Sequence, residues 1–179
     1  MYTPVLAVIR DDLGCTNDEI IATISVYLAI LGFMPLVWGP FSDAYGRRRA
    51  LMIAAVVYTV TNLGCALAWD VWSLMVVRAL QAVGSSAMLT VGAGAIADTF
   101  PKKERGRAMG YYLMGPLIGP VIGPSVGGVI AQFLGWRSIF YVIMALGALV
   151  LALIWFLMPE TLPRLRPGEK VQVVSKDLL

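Results

Sequence analysis

Histidine is absent from this sequence, and cysteine occurs only twice, at Cys15 and Cys65. Because zinc sites are built mainly from these two residue types, the sequence predicts no metal site. Two cysteines also cannot form the dense disulfide framework of a small secreted domain. We interpret both as free thiols, and a single disulfide between them is the alternative.

Charged residues are scarce as well. They make up 14% of the 179 residues, whereas hydrophobic residues make up 59%, and the mean hydropathy is +0.78. This composition is typical of an integral membrane protein. A helix needs about 20 mostly apolar residues to cross the hydrocarbon of a bilayer. We therefore predict an all-α membrane protein with five spans, at residues 20–38, 50–69, 71–97, 108–134 and 138–158.

The basic residues are shared unevenly between the connections. Three lie at 47–49, four at 102–107 and four in the tail at 159–179, which together hold 11 of the 14 in the chain. Cytoplasmic loops of membrane proteins carry the excess of lysine and arginine, so these two connections and the tail are predicted to be cytoplasmic. Residues 1–19 are then external. The net charge of +3 follows from this sidedness and does not indicate a nucleic-acid partner.

The external segment begins with a short apolar stretch, residues 1–8, which the polar letters RDDLG follow. The stretch is too short to cross a bilayer, and the polar residues resemble the exit of a helix from the membrane. Five spans is also an odd number for a fold built from repeats. We therefore interpret residues 1–8 as the last turns of a first span that this sequence lacks.

The fourth span contains the most unusual run of the chain, GPLIGPVIGPSVGG at residues 115–128. A proline inside a helix in water costs about 3 kcal/mol, because it lacks an N–H and clashes with the preceding turn. In hydrocarbon the segment has no better choice than a helix, so we predict a bent helix. The glycines recur every four residues and form a ridge that another helix can approach closely. The run contains Gly115, Pro116, Gly119, Pro120, Gly123, Pro124, Gly127 and Gly128.

Three motifs resemble sequences of the major facilitator superfamily, a family of membrane transporters. The connection GPFSDAYGRRR at 39–49 is similar to the family's signature loop, G-x-x-x-D-x-x-G-R-R/K. The segment RALQAVG at 78–84 is similar to its R-x-x-Q-G-x-G motif on the fourth helix, with Ala82 at the first glycine. The glycine and proline run resembles a fifth-helix motif of drug:proton antiporters. The matching positions of the loop are Gly39, Asp43, Gly46, Arg47 and Arg48.

The resemblance implies both a fold and a set of roles. The five spans correspond to helices 2–6 of a twelve-helix transporter, which is most of its N-terminal half. The signature loop acts as a latch that holds the two halves in one state, with Asp98 and Arg107 as candidates to complete its charge network. Arg78 and Gln81 are associated with proton coupling. The glycine ridge implies a partner helix in the C-terminal half, in a seam that limits proton leak.

The residues themselves support part of these roles. Asp43 and Arg47 are four apart, so on a helical turn they share one face and can pair, although a basic stop signal also explains the arginines. Arg78 lies about 10 Å inside its span, where a charge costs about 2.5–3.5 kcal/mol. Snorkelling to the interface is the alternative for this residue. No aspartate or glutamate lies deep in any span, so we expect the acidic partner of Arg78 outside this sequence.

Aromatic residues are candidates for a substrate pocket. The tryptophans at 38, 69, 72 and 136 fall at span ends, where an aromatic belt is expected. Tyr27, Tyr58 and Tyr112 lie within spans and are the better candidates. Glu160 and Thr161 are interpreted only as marking the end of the last helix.

The leading hypothesis is a transporter, similar to fungal drug:proton antiporters, that exports small amphipathic compounds by alternating access in the plasma membrane. Its expected partners are the substrate, protons, the lipid bilayer and the missing C-terminal half. The alternative is a truncated fragment without autonomous transport, which at most packs against another membrane protein. An enzyme is disfavoured, because no nucleophile, base and metal ligand occur together at one depth, and no cofactor is predicted.

Overall fold

The computed structural model of this protein describes residues 4–161, and its regular elements are all helices. Short connections join consecutive helices. The basic residues of the predicted tail, from Arg164 onward, lie outside the described residues. The elements are α1 (Pro4–Leu13), α2 (Asn17–Phe33), α3 (Pro35–Tyr45), α4 (Arg47–Ala66), α5 (Val71–Thr99), α6 (Lys102–Leu134) and α7 (Trp136–Leu157).

Five spans are available in this set of helices. Each helix from α4 to α7 is long and apolar enough to cross a membrane alone, and α2 and α3 pass the same test as a pair bent by 43°. The prediction of an all-α membrane fold is therefore confirmed, with four spans formed by single helices and a fifth where the bent pair of α2 and α3 is counted as one. The predicted span at 20–38 is not one straight helix, because Pro35 has no N–H to donate into α2 and instead occupies the first turn of α3.

Helix starts and turns are encoded locally. α2 begins with a capping box in which Thr16 and Glu19 satisfy each other's backbone N–H groups, and α5 begins with the same arrangement from Asp70 and Ser73. Gly46 joins α3 to α4 with a φ of +102° and Gly135 joins α6 to α7 with a φ of +79°. Only glycine adopts such angles without strain, so these two positions allow the chain to turn directly from one helix into the next.

α4 is the central helix of the bundle, since it packs extensively against both α5 and α7, and α2 packs against α5. We call the end with the Gly46 turn the basic end, and the end with the α4–α5 turn and Gly135 the opposite end. Each end has its own buried core. Cys65 is buried in the core of the opposite end, and both Cys65 and Cys15 are free thiols. The core of the opposite end includes Ile9, Ile20, Cys65, Leu74, Trp136 and Phe140, and the core of the basic end includes Trp38, Ala50, Leu51, Ala54, Ala87 and Val91.

α6 differs from the other long helices because it lies at the margin of the bundle. Ala131 is its one buried residue, and residues 113–126 are all exposed. The helix nevertheless continues unbroken through Pro116, Pro120 and Pro124, as expected for hydrocarbon surroundings.

Candidate functional site

The signature loop forms an ion-pair cluster at the basic end. Arg47 pairs with Asp43 at 2.6 Å and with Asp98 at 2.9 Å, and its guanidinium also donates to the hydroxyl of the buried Ser42. A planar guanidinium can serve these three acceptors at once because its five N–H groups point in fixed directions. The arginine thus ties the end of α3 to the end of α5.

Two glycines make room for this cluster. A Cβ atom on Gly94 of α5 would lie 2.9 Å from the guanidinium carbon of Arg47, so a side chain there would push the arginine away from Asp98. A Cβ atom on Gly46 would lie 2.5 Å from a carboxylate oxygen of Glu160. Gly39, by contrast, has open space where a Cβ would stand.

Arg48 and Glu160 connect the same loop to the end of α7. Arg48 donates from its Nη2 to the carbonyl of Trp155 at 2.6 Å, and its backbone N–H donates to Glu160 at 3.4 Å. A carboxylate at the N-terminus of a helix is favourable, because the unpaired N–H groups of the first turn carry positive partial charge. The sequence interpretation missed this role of Glu160; the signal was an acidic residue directly after the last span.

Arg107 does not join the cluster. It is exposed, and its contacts are with Tyr111 on its own helix, at 3.5 Å to the hydroxyl and 5.7 Å to the ring centre. Of the two residues proposed to complete the charge network, the structure brings only Asp98 to Arg47.

Arg78 lies inside the bundle between α5 and α7. Its guanidinium carbon is 5.1 Å from the ring centre of the buried Phe140, a distance suited to a cation–π interaction. Its Nε atom is buried and has no hydrogen-bond partner among residues 4–161. Within the same range no carboxylate pairs with Arg78, so the expected acidic partner is not provided by the described residues.

Gln81 belongs to a buried amide pair that spans α4 and α5. Its Nε2 donates to Oδ1 of Asn62 at 2.7 Å, and Nδ2 of Asn62 donates to the carbonyl of Tyr58 at 2.7 Å. The exposed fraction of Asn62 is 0% and that of Gln81 is 4%. The sequence interpretation did not name Asn62, although an asparagine in the middle of an apolar span is itself a signal.

A cavity of about 550 Å³ lies beside this pair and contains two of the predicted pocket tyrosines, Tyr27 and Tyr58. The hydroxyl of Tyr27 donates to Ser85 at 3.0 Å, and Ser85 donates to the carbonyl of Gln81 at 3.0 Å. The hydrogen bonds that begin at the cavity thus end on the backbone of Gln81, whose side chain belongs to the amide pair. The remaining lining is apolar and consists of Leu31, Ala55, Met88, Leu89, Ile143, Leu146, Gly147 and Val150.

Tyr112 is not part of that lining. Its hydroxyl donates to the carbonyl of Met88, and a Cβ on Gly92 would collide with its ring. It therefore anchors α6 to α5 at the carbonyl of Met88, a residue that also lines the cavity.

The glycine ridge of α6 has no partner within the described part of the chain. A Cβ on Gly115, Gly119 or Gly123 would meet no atom within 4 Å, and one on Gly127 would approach only Ile139, at 3.8 Å. The neighbouring Gly128 lines a groove between α6 and α1 together with Pro124. The predicted close packing of the ridge thus remains a prediction about another segment or another protein.

A second charged cluster lies at the opposite end. Asp12 accepts from the indole of Trp136 at 2.9 Å and from Arg137 at 2.6 Å, and Arg137 also donates to the carbonyl of Ala68 at 3.1 Å. The hydrogen bonds from Trp136 and then from Arg137 lower the pKa of the Asp12 carboxyl. This cluster fixes α1 and the α4–α5 turn to the start of α7.

Comparison with known proteins agrees with this architecture. A sequence profile described as Major Facilitator Superfamily matches residues 1–178. The chain is 39% identical over 176 residues, 98% of its length, to "MFS antiporter QDR3" of Candida albicans. It is 39% identical over 162 residues, 90% of its length, to "Citrate exporter 1" of Aspergillus niger. It is 40% identical over 164 residues, 91% of its length, to "Efflux pump vrtL" of Penicillium aethiopicum.

The chain covers 25%, 31% and 33% of the lengths of these three proteins, so it spans about a quarter to a third of the curated relatives it matches. The relatives are named as an antiporter, an exporter and a pump, and none of these names describes an enzyme. With a profile that matches almost the whole chain, and with four helices and one bent helix pair suited to cross a bilayer, this multi-pass integral membrane protein belongs to the major facilitator superfamily.

Proposed function

We propose that this chain supplies helices 2–6 of the N-terminal bundle of a secondary transporter, which exports small amphipathic compounds in exchange for protons by alternating access. The observation that carries the proposal is the cavity beside the buried amide pair, because it provides a binding space one helical turn from Gln81, and Arg78 lies one further turn along the same helix.

The lining of the cavity supports an amphipathic substrate. The hydroxyls of Tyr27, Tyr58 and Ser85 offer hydrogen bonds, while the other lining residues are apolar, and none of the residues that line it carries a charge. Binding sites for drug-sized molecules have this composition, a mainly apolar wall with a few polar groups. A polyanion such as citrate would lack a cationic partner on this wall, so we favour uncharged or weakly charged aromatic compounds.

The charge clusters support a transport cycle and an orientation. Arg47 joins two helices through pairs that are only partly buried, and such pairs can break and re-form at little cost. We propose that this cluster is the latch of the cycle. The excess of lysine and arginine at the basic end favours a cytoplasmic location for that end. We propose the plasma membrane because it is the commonest location of the transporters that the sequence resembles.

Alternating access requires a second bundle, since substrate sites of such transporters lie between two halves. We propose that the ridge of α6 packs against that second bundle, which comes either from further sequence of the same polypeptide or from another membrane protein. If no second bundle is supplied, the alternative function of a packing partner without transport is the one that remains.

Export of a fluorescent amphipathic dye tests the proposal. Cells that express the product of the complete transcript are expected to export the dye faster than empty-vector cells, and collapse of the proton gradient should abolish the difference. Arg78→Ala is expected to remove export, whereas Lys103→Ala, which deletes one positive charge at an exposed position, should leave it unchanged. Dye retention equal to that of empty-vector cells would contradict the proposed function.

A further inference from the structure

The orientation of the two buried amides is fixed by their own hydrogen bonds. The carbonyl of Tyr58 can only accept, so the group of Asn62 that meets it must be the NH2. The oxygen of Asn62 then faces Gln81, and it can only be met by the NH2 of that residue. The oxygen of Gln81 is consequently turned away from Asn62, and it is buried without a partner among the described residues.

A second buried atom without a partner lies one helical turn earlier on the same helix. Arg78 and Gln81 are three residues apart on α5, so their side chains are neighbours. The Nε of Arg78 is an N–H donor, and the Oε1 of Gln81 is an acceptor, and both are buried without hydrogen bonds inside residues 4–161. A buried polar group without a hydrogen bond is costly, so a ligand that both accepts and donates is favoured there.

We propose that the pair binds one internal water molecule, and that Asn62 is the positioning residue of this site. The water accepts from Nε of Arg78 and donates to Oε1 of Gln81, and buried waters in proteins typically have two to four such partners. Asn62 acts through Gln81, because it occupies the NH2 and so presents the oxygen to the water. Without Asn62 the amide of Gln81 is free to turn and the acceptor is lost.

The water has a consequence for proton coupling, and this part rests on the proposed function. The guanidinium of Arg78 brings a positive charge into the bundle one helical turn from Gln81. A water held between its Nε and Gln81 fixes the position of this positive charge, and a positive charge in a fixed position favours the deprotonated form of an acidic group that approaches it from another segment.

Nuclear magnetic resonance of the full chain in lipid nanodiscs, labelled with 15N-arginine, tests the water site without any measurement of transport. The Nε–Hε signal of Arg78 is assigned by its disappearance in Arg78→Lys. We expect a cross-peak between this proton and water in the wild type, and its loss in Gln81→Leu and in Asn62→Leu. Thr61→Val is the matched control, because Thr61 is buried on the same helix but its hydroxyl bonds only to carbonyls of α4.

Each outcome of this experiment decides the proposal. No water cross-peak in the wild type would overturn the site, and a full cross-peak in Asn62→Leu would overturn the positioning role. Should Asn62→Leu fail to fold, the double variant Asn62→Leu/Gln81→Leu replaces both partners with apolar groups of similar size, a change that can be nearly neutral. This variant must fold and lack the cross-peak.

A transport arm separates the site from the proposed function. Asn62→Leu is expected to shift the pH profile of dye export while dye binding is retained, whereas Thr61→Val should keep the wild-type profile. An unchanged profile in a variant that has lost the cross-peak would overturn the coupling role. If the wild type does not export at all, the proposed function fails, but the presence or absence of the water cross-peak still decides the site.

Discussion

Single residues at the basic end act by the shape of their side chains as much as by their charge. Arg47 reaches Ser42, Asp43 and Asp98 together, and a lysine ammonium at the same position is a single point with no comparable fork. Arg47→Lys is therefore expected to keep the charge of the loop while losing at least one link between α3 and α5. Because 13% of the arginine and 30% of the Asp98 side chain remain exposed, the loss of stability should be about 1 kcal/mol or less.

Unfolding of the purified protein in mixed detergent micelles measures this difference. Arg49→Lys, at the exposed neighbouring position, is the control and should not change the unfolding midpoint. A double-mutant cycle with Asp98→Asn isolates the pair. A coupling energy of zero between the two substitutions would mean that the pair does not contribute to the folded state.

Asp12 gives the opposite end a dependence on pH. Its pKa is lowered in the folded state by the hydrogen bonds from Trp136 and Arg137. The carboxylate therefore stabilises the fold fully at pH values above the pKa of an aspartate in the unfolded chain, about 4. The contribution is lost as the pH falls from there through the lowered pKa. We expect the wild type to unfold at a higher temperature than Asp12→Asn at about pH 7, with the difference shrinking toward about pH 3.

Asp11→Asn is the control for this measurement, because within residues 4–161 Asp11 pairs only with the adjacent and partly exposed Arg10. Its unfolding temperature should follow that of the wild type across the same pH series. A constant difference between the wild type and Asp12→Asn at every pH would contradict the assignment.

Sequence motifs named the residues of the candidate site, but they predicted few of the contacts that those residues make. The spacing of Asp43 and Arg47 was enough to predict their pair, because both lie on one turn. The contacts of Asp98 and Asn62 join different helices, and those of Arg107 stay on its own helix. Such contacts depend on how helices pack, and a single sequence contains no direct record of packing.

At the scale of helices, the close contact of α4 and α5 depends on a glycine. A Cβ on Gly84 would lie 2.8 Å from the carbonyl oxygen of Ala54 and 2.9 Å from the backbone nitrogen of Tyr58. Both neighbours are backbone atoms, which cannot rotate away as a side chain can. Gly84→Ala must therefore push α5 away from α4, and we expect it to destabilise the protein by about 1–3 kcal/mol.

The same substitution at Gly32, where a Cβ meets open space, is the matched control. Alanine favours a helix over glycine by about 1 kcal/mol, so Gly32→Ala should be neutral or stabilising in the same unfolding assay. If Gly84→Ala proved as stable as Gly32→Ala, the close approach of α4 and α5 at this point would be wrong.

Helix bounds differed from the sequence prediction where polar residues extend a helix beyond the hydrocarbon. α4 begins at Arg47 and α6 at Lys102, ahead of the predicted starts at 50 and 108, because hydropathy detects the apolar part of a helix and not its hydrated ends. The break at Pro35 could have been predicted from its missing N–H. The unbroken α6 shows why proline alone is a poor guide, since three prolines did not interrupt that helix.

At the scale of the whole molecule, the bundle is closed on one side and open on the other. α4 has neighbours on both sides, whereas Leu117 and Val121 of α6 are 71% and 75% exposed. Apolar exposure is ordinary for a membrane helix, because lipid covers it. A ridge of glycines is different, since small residues give lipid little surface and instead allow a second helix to approach closely.

The ridge can be tested at Gly119, because this part of it contacts no other helix of the described residues. A side chain at Gly119 meets no atom within 4 Å, so Gly119→Leu should leave the unfolding midpoint of the chain unchanged or slightly raised. Gly110→Leu is the matched control: it lies on the same helix in equally open space, but nine residues earlier and so on the opposite face. Both variants gain the same helix propensity. Because only Gly119→Leu obstructs a helix that packs on the ridge, it alone is expected to abolish dye export, and wild-type export by this variant would mean that the ridge faces lipid throughout the cycle.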